Sequence, residues 1–202
     1  MASLVESLMT ELESRGAVDQ IAGKLGIPPG QASSAVTAAV PTILAGLAKN
    51  AQKPDGRQAL AGALERDHDG SVLNDTHYFD AYQEREGDKI LGHVFGEEEP
   101  AVESQVSALS GLSGMQGADL MKMLAPLIMG YLGKQKSSGS LDLGSLAEML
   151  GGGRGGGGLN LPGGLGDLIG GLSGGGGAPV GSGTQKSSGG LGGLLGKIFG
   201  RK

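Results

Sequence analysis

The chain has 202 residues, of which 42 are glycine and none is cysteine or tryptophan. The lack of cysteine excludes disulfide bonds and thiolate metal sites. Residues 1–136 hold 18 acidic and 11 basic side chains, a net charge of −7, whereas residues 137–202 hold 3 acidic and 5 basic ones, a net charge of +2. Because an acidic surface repels phosphate backbones, nucleic acid is not expected as a partner.

Glycine divides the chain into a body and a tail. Residues 1–136 contain 16 glycines and residues 137–202 contain 26. We predict an all-helical domain over residues 1–136, a low-complexity tether rich in Gly, Ser and Leu over residues 137–190, and a cationic amphipathic segment over residues 191–202. Since glycine loses the most backbone freedom on ordering, the tail is predicted to be disordered.

The body begins with a predicted helix from residue 4 to Arg15, because a leucine recurs every fourth residue there. Ser3 and Glu6 have the spacing of a capping box at its start. Gly16 is expected to end the helix.

Three further helices follow in the first half of the body. One is predicted over Val18 to Leu25, with Gly26 ending it. A long helix starts at Pro28 and Pro29 and runs toward Asn50. Asp55 is predicted to cap a fourth helix that ends at Arg66.

The segment 20–49 recurs 85 positions later as segment 105–134. The identical pairs are Gln20/Gln105, Gly26/Gly111, Gln31/Gln116, Pro41/Pro126, Ile43/Ile128, Leu47/Leu132 and Lys49/Lys134. The second copy predicts helices over Glu99 to Leu109 and Ala118 to Gly133, and Pro41 and Pro126 are expected to kink equivalent helices. No stretch alternates with period two. The predicted fold is therefore all-α, a compact helical body of two pseudo-repeated units with Pro-kinked helices.

Three motifs carry a resemblance to a known family. They are Asp-His-Asp-Gly-Ser at 67–71, Ile-Leu-Gly-His-Val-Phe-Gly at 90–96 and Leu-Ala-Pro-Leu-Ile-Met-Gly at 124–130. In this order they resemble the bacterial domain-of-unknown-function family 937, DUF937, which includes YidB-like proteins. The resemblance covers roughly residues 1–136. It implies a small all-helical bacterial protein of unestablished role, and it transfers no catalytic residues.

One acidic stretch resembles part of a calcium-binding loop. Glu65, Asp67, Asp69 and Gly70 match positions 1, 3, 5 and 6 of an EF-hand loop, but the twelfth position, where a bidentate Glu belongs, is Thr76. Glu65, Asp67 and Asp69 are thus a weak calcium candidate. The favoured interpretation is a turn between helices, with Gly70 at positive φ.

Catalysis is not predicted by any residue pattern. The histidines His68, His77 and His93 lack the spacing of a metal pair on one helix face, and a capping or partly buried role is favoured for each. The glycine runs lack the Lys-Ser/Thr of a phosphate-binding loop. We therefore predict that the protein is not an enzyme and needs no cofactor.

The corner around Gly26 has the small-residue spacing of a helix-turn-helix motif, so a DNA-associated protein is one alternative. The helix that would read bases offers Gln31, Ser33, Ser34 and Thr37, but residues 28–42 contain no Arg or Lys. Without phosphate contacts, DNA binding would be weak, and a simple helical corner is favoured.

The C-terminus carries the predicted contact. Leu191, Leu194, Leu195 and Ile198 recur at helical spacing next to Phe199, while Lys197, Arg201 and Lys202 supply the polar side. We predict a non-catalytic interaction or scaffold protein whose partner is another protein or a second copy. A second alternative is binding to a membrane surface through this segment.

The expected location is the cytoplasm. Glu6, Glu11 and Glu13 occupy the positions where a signal peptide needs a basic start and an apolar core. The longest apolar runs, Ala38 to Ala48 and Met123 to Gly133, are shorter than the roughly 20 residues that span a bilayer.

Overall fold

The computed structural model describes residues 4–75, 77–79 and 84–144. In these ranges the chain forms seven α-helices, two 3-10 turns and no β-strand. The helices are α1 Leu4–Ser14, α2 Ala17–Leu25, α3 Pro29–Ala51, α4 Pro54–Arg66, α5 Glu84–Phe95, α6 Glu99–Ser110 and α7 Gly114–Ser137, and the 3-10 turns are Ser71–Asn74 and Gly96–Glu98. The predicted all-α fold is confirmed. The predicted tail lies outside the described residues from position 145 onward.

The long helices α3 and α7 form the centre of the domain. They pack against each other, α3 also contacts every other helix, and α7 contacts α2, α4, α5 and α6. All residues of 38–48 and of 123–133 are buried, and these two runs are 85 positions apart. Helices that are apolar on all sides must be covered on all sides, so the two apolar runs make α3 and α7 the core.

The duplication is visible in the backbone as well as in the sequence. The α2–α3 and α6–α7 pairs both turn at a left-handed glycine, Gly26 with φ 64° and Gly111 with φ 66°. Their amides donate to the carbonyls of Ala22 and Ser107, again 85 positions apart. Pro41 and Pro126 each lie inside a continuous helix. The predicted two-unit body is confirmed.

Two helix starts differ from their predictions. Asp55 does not cap α4: the helix begins at Pro54, whose fixed φ suits a first helical residue, and Lys53 precedes it without a side-chain cap. The second long helix begins at Gly114 rather than Ala118. Ser113 Oγ accepts from the Gln116 amide and Gln116 Oε1 accepts from the Ser113 amide, which adds a full turn. Ser3, the predicted cap of α1, lies outside the described residues.

Helix α5 was not among the predicted helices, because Gly87 and Gly92 weaken its helical signal. Tertiary contacts explain one of them. A Cβ added to Gly87 would lie less than 3.0 Å from the carbonyl oxygen of Lys122 in α7. About two turns further along α5, Val94 and Phe95 pack against Gly46 of α3 with the same lack of space. Small residues therefore let α5 approach both central helices closely.

The packed chain continues beyond the predicted domain boundary at residue 136. Leu143 is 5% exposed and belongs to the core, and Leu141 packs against it. A domain that ended at Lys136 would therefore lack a core side chain.

Among the described helices, α3 alone is long and apolar enough to cross a membrane. The sequence analysis counted only the uninterrupted apolar run Ala38 to Ala48, which is too short to span a bilayer. The whole helix is longer than that run. Most of α3 is buried inside the protein, and the core helix of a folded domain has the same length and composition.

Candidate interaction surface

The two glycine corners of the duplicated units adjoin at one end of the domain. Gln31 Nε2 of α3 donates to the carbonyl of Gly111, at 2.7 Å. Gln116 Nε2 of α7 donates to the carbonyl of Leu25, at 3.1 Å. The glutamine of each unit thus donates to a free carbonyl at the end of the other unit's first helix. The two corners therefore make reciprocal hydrogen bonds.

The chain segments that turn at the two corners carry no charge. Residues 25–48 and 104–118 contain no acidic or basic side chain. The large apolar side chains that are exposed in the described structure both lie here: Met115 is 77% exposed and Leu109 is 41% exposed. Pro28 and Pro29 are also exposed. We call these four residues the corner surface. Exposed apolar groups clustered on an otherwise acidic body mark a candidate contact site.

A carboxylate cluster begins one helical turn from Met115. Asp119 lies four residues further along α7, and Asp88, Glu99 and Glu103 surround the same cation, Lys122, with Lys122 Nζ 2.9 Å from Asp88 Oδ1. Four carboxylates and one ammonium give the cluster a local charge of −3.

The titration of the cluster reflects this imbalance. Burial raises the pKa of Glu99, and the neighbouring carboxylates Glu103 and Asp88 raise it further. Burial also raises the pKa of Glu103, against the opposing effect of Lys122. The hydrogen bond to Asp88 raises the pKa of Lys122. The negative charge here is therefore only partly compensated within the domain.

The weak calcium candidate is not assembled as a metal site. Glu65 forms an ion pair with Lys136, which lowers the pKa of Glu65. Asp69 accepts the Ser71 amide at 2.9 Å, and this bond lowers the pKa of Asp69. Asp67 ends α4. In the described ranges no three His, Asp or Glu side chains are grouped to hold a metal ion. Gly70 has φ 97°, as the turn interpretation predicts.

The histidines take structural positions. His68 is 8% exposed, its Nδ1 lies 3.7 Å from Glu86 Oε1, and burial lowers its pKa. His93 Nδ1 lies 2.6 Å from the Lys89 carbonyl, one turn earlier in α5. The His77 amide donates to Asp75 Oδ1.

The helix that the helix-turn-helix alternative assigns to base reading is α3, the central helix. Gln31 is engaged with Gly111 of the other unit. Ser34 and Thr37 are exposed, but their hydroxyls donate to carbonyls of their own helix at 3.0 and 2.8 Å. From Ala38 to Ala48 every residue of α3 is buried. The first turns of α3, which the alternative assigns to a DNA groove, carry no cation.

A polar groove between α1 and α7 was missed by the sequence reasoning. Glu11 Oε1 accepts from Arg15 at 2.7 Å and from Lys134 at 3.2 Å, and the hydrogen bond from Arg15 is the main cause of its lowered pKa. The groove also contains Tyr131, whose hydroxyl accepts from Gln135. These groups pair with one another, so the groove joins α1 to the core.

Fold and surface together define an all-helical protein built on a duplicated two-helix unit. The chain belongs to the family described as bacterial protein of unknown function, DUF937, whose profile matches residues 6–135. The predicted resemblance is confirmed. No curated protein and no solved structure matches the chain. The predicted interaction residues lie outside the described structure; they are Leu191, Leu194, Leu195, Lys197, Ile198, Phe199 and Arg201.

Proposed function

We propose that this protein is a non-catalytic interaction or scaffold protein. The observation that carries the proposal is the corner surface, where Met115 and Leu109 are exposed on an uncharged segment of an otherwise acidic domain. Burying such side chains against a partner releases apolar area from water, which is the main driving force for association. The role is one of contact between macromolecules.

The terminal segment, residues 191–202, is the second contact element of this proposal. Its apolar side chains recur at helical spacing, and its charges are Lys197, Arg201 and Lys202, a net charge of +3. Such a segment favours an apolar surface bordered by acidic groups. An acidic protein surface is the partner class we assign to it.

Charge reversal within the terminal segment tests the proposal. The full-length variant Lys197→Glu/Arg201→Glu is compared with Arg154→Glu/Lys186→Glu, which makes the same change in net charge elsewhere in the tail. Self-association is measured by sedimentation, and binding of acidic protein ligands and of anionic vesicles is measured in parallel. We expect protein binding to fall in the first variant only.

Two outcomes would count against the proposal. If both reversals weaken binding equally, the contact depends on net charge and not on the segment. If binding to vesicles, but not to proteins, is lost in the first variant, the segment contacts lipid and the assigned partner class is wrong.

A further inference from the structure

The corner surface and the terminal segment have matching chemistry. The corner surface offers Met115 and Leu109 as exposed apolar groups. The terminal segment offers four apolar residues at positions i, i+3, i+4 and i+7, with Phe199 beside them. Contact between them would remove both sets of apolar side chains from water.

Their charges are also complementary. The carboxylate cluster of Asp88, Glu99, Glu103, Asp119 and Lys122 has a local charge of −3, and it borders Met115 through Asp119, one turn away on α7. The terminal segment has a net charge of +3 from Lys197, Arg201 and Lys202. With the apolar residues on Met115, the basic side chains would lie beside the cluster, whose four carboxylates exceed the charge of Lys122.

The chain is long enough to connect the two within one molecule. The corner surface lies at the start of α7, and the described chain ends at Gly144, just beyond the other end of that helix. Twenty-four helical residues span about 36 Å. The 46 residues between Gly144 and Leu191 have a contour length of about 150 Å, several times that distance. Tethering also raises the effective concentration of the segment.

We infer that the terminal segment docks on the corner surface of its own chain. This inference rests on the proposed function, because it assigns the resting contact of the segment that we propose to be adhesive. The contact is an intramolecular cap: it covers the corner surface and the segment together, and a partner must displace it to bind either.

Disulfide trapping in the full-length protein tests this contact directly, since the chain has no native cysteine. The test pair is Gly114→Cys/Gly196→Cys, beside the corner surface, at a position where an added Cβ meets nothing within 4 Å. The control pair is Lys53→Cys/Gly196→Cys, at the opposite end of α3. Oxidation in dilute solution should form the intramolecular disulfide of the test pair faster than that of the control by on the order of tenfold.

A third substitution ties the trapped contact to the corner surface. Met115→Ser in the test pair should lower the rate to that of the control, whereas Gln52→Ser, exposed near Lys53, should not. Met115 is 77% exposed, so its substitution should leave the thermal midpoint unchanged. Equal rates for test and control pairs, or no effect of Met115→Ser, would overturn the inference. Disulfides that form only between chains, at a rate that rises with concentration, would also overturn it and identify a second copy as the occupant.

The inference and the proposed function can fail separately. If the disulfide does not form but the Lys197→Glu/Arg201→Glu variant still loses protein binding, the inference is wrong and the proposed function stands. If the disulfide forms and the charge reversal leaves binding unchanged, the proposed role of the segment is wrong.

Discussion

The two copies of the duplicated unit share a backbone path but differ in where their glycines lie. In α3, Gly46 admits Val94 and Phe95 of α5, and the equivalent position in α7 is Tyr131. In α7, Gly133 admits the backbone at His68, and the equivalent position in α3 is Ala48. The comparison teaches that glycine position, more than helix pattern, decides which neighbour each central helix receives.

The corners differ in a related way. In the second unit Gly117 packs against the Ser107 side chain, with no room for a Cβ, whereas the first unit has Ala32 and Ala22 at these positions. In the second unit the larger Ser107 of α6 thus faces the smaller Gly117 of α7, whereas the first unit has alanine on both helices. The second corner also has the Ser113–Gln116 capping box, whereas Pro28 starts α3 without a side-chain cap.

The largest effect is expected at Gly133, where the second unit contacts the backbone after α4. A methyl group there would lie less than 3.0 Å from the His68 carbonyl oxygen, so Gly133→Ala must displace the backbone after α4. We expect a loss of about 3 kcal/mol in the free energy of unfolding, measured with urea. The control is Gly114→Ala in the same helix, where a Cβ meets nothing within 4 Å. Equal stability of the two variants would contradict this account of the α4–α7 contact.

The next effect concerns the Ser107/Gly117 pair. Gly117→Ala should destabilise the protein by about 2 kcal/mol, because its Cβ would meet Ser107 Oγ. The double variant Ser107→Ala/Gly117→Ala reproduces the alanine pair of the first unit and should recover part of that loss. A double-mutant cycle measures the coupling. Strictly additive effects would show that the two corners do not pack equivalently.

The reciprocal glutamines should give a smaller and unequal pair of effects. Gln31→Ala removes a bond to the Gly111 carbonyl, for about 1 kcal/mol. Gln116→Ala removes the bond to Leu25 and also opens the capping box, for about 2 kcal/mol. Gln58→Ala, at an exposed site on α4, is the control and should be neutral. If Gln31→Ala were as costly as Gln116→Ala, the capping box would contribute nothing.

The smallest effect is a pH dependence of stability that arises from His68. The backbone at His68 contacts Gly133 of the second unit. Burial lowers the pKa of His68 in the folded protein, while Glu86 and Asp67 oppose that shift. The unfolded chain therefore binds more protons near its ordinary His pKa of about 6.5, and stability falls as pH decreases below that value. His68→Gln should reduce the change in the thermal midpoint between about pH 7.5 and 5.5. An unchanged slope in this variant would assign the pH dependence to other groups.

Much of the fold could be predicted because its signals are local or repeated. The leucine spacing in α1, the glycines that end α2 and α6 and the prolines near the start of α3 and α6 act within a few residues. The recurrence of segment 20–49 at 105–134 then related two distant parts of the chain. α5 was missed because Gly87 and Gly92 weaken its local preference, and its helix forms against α3 and α7.

The site was less predictable than the fold. Met115 and Leu109 were not singled out, although the absence of charge over residues 104–118 is a signal that could have indicated them. The carboxylate cluster draws Asp88 from α5, Glu99 and Glu103 from α6, and Asp119 from α7, and no sequence spacing connects these three helices.

The sequence by itself determined the all-helical class, the duplicated unit, the family and the separation of an acidic body from a basic tail. These follow from periodicity, glycine and proline positions, and charge, which are properties of short segments or of composition. Only the tertiary structure decided that the two corners exchange glutamine hydrogen bonds, that exposed apolar side chains lie next to a carboxylate cluster, and that glycines select the neighbours of α3 and α7. These depend on the approach of helices from distant parts of the chain, which side-chain size permits but does not specify without the three-dimensional packing.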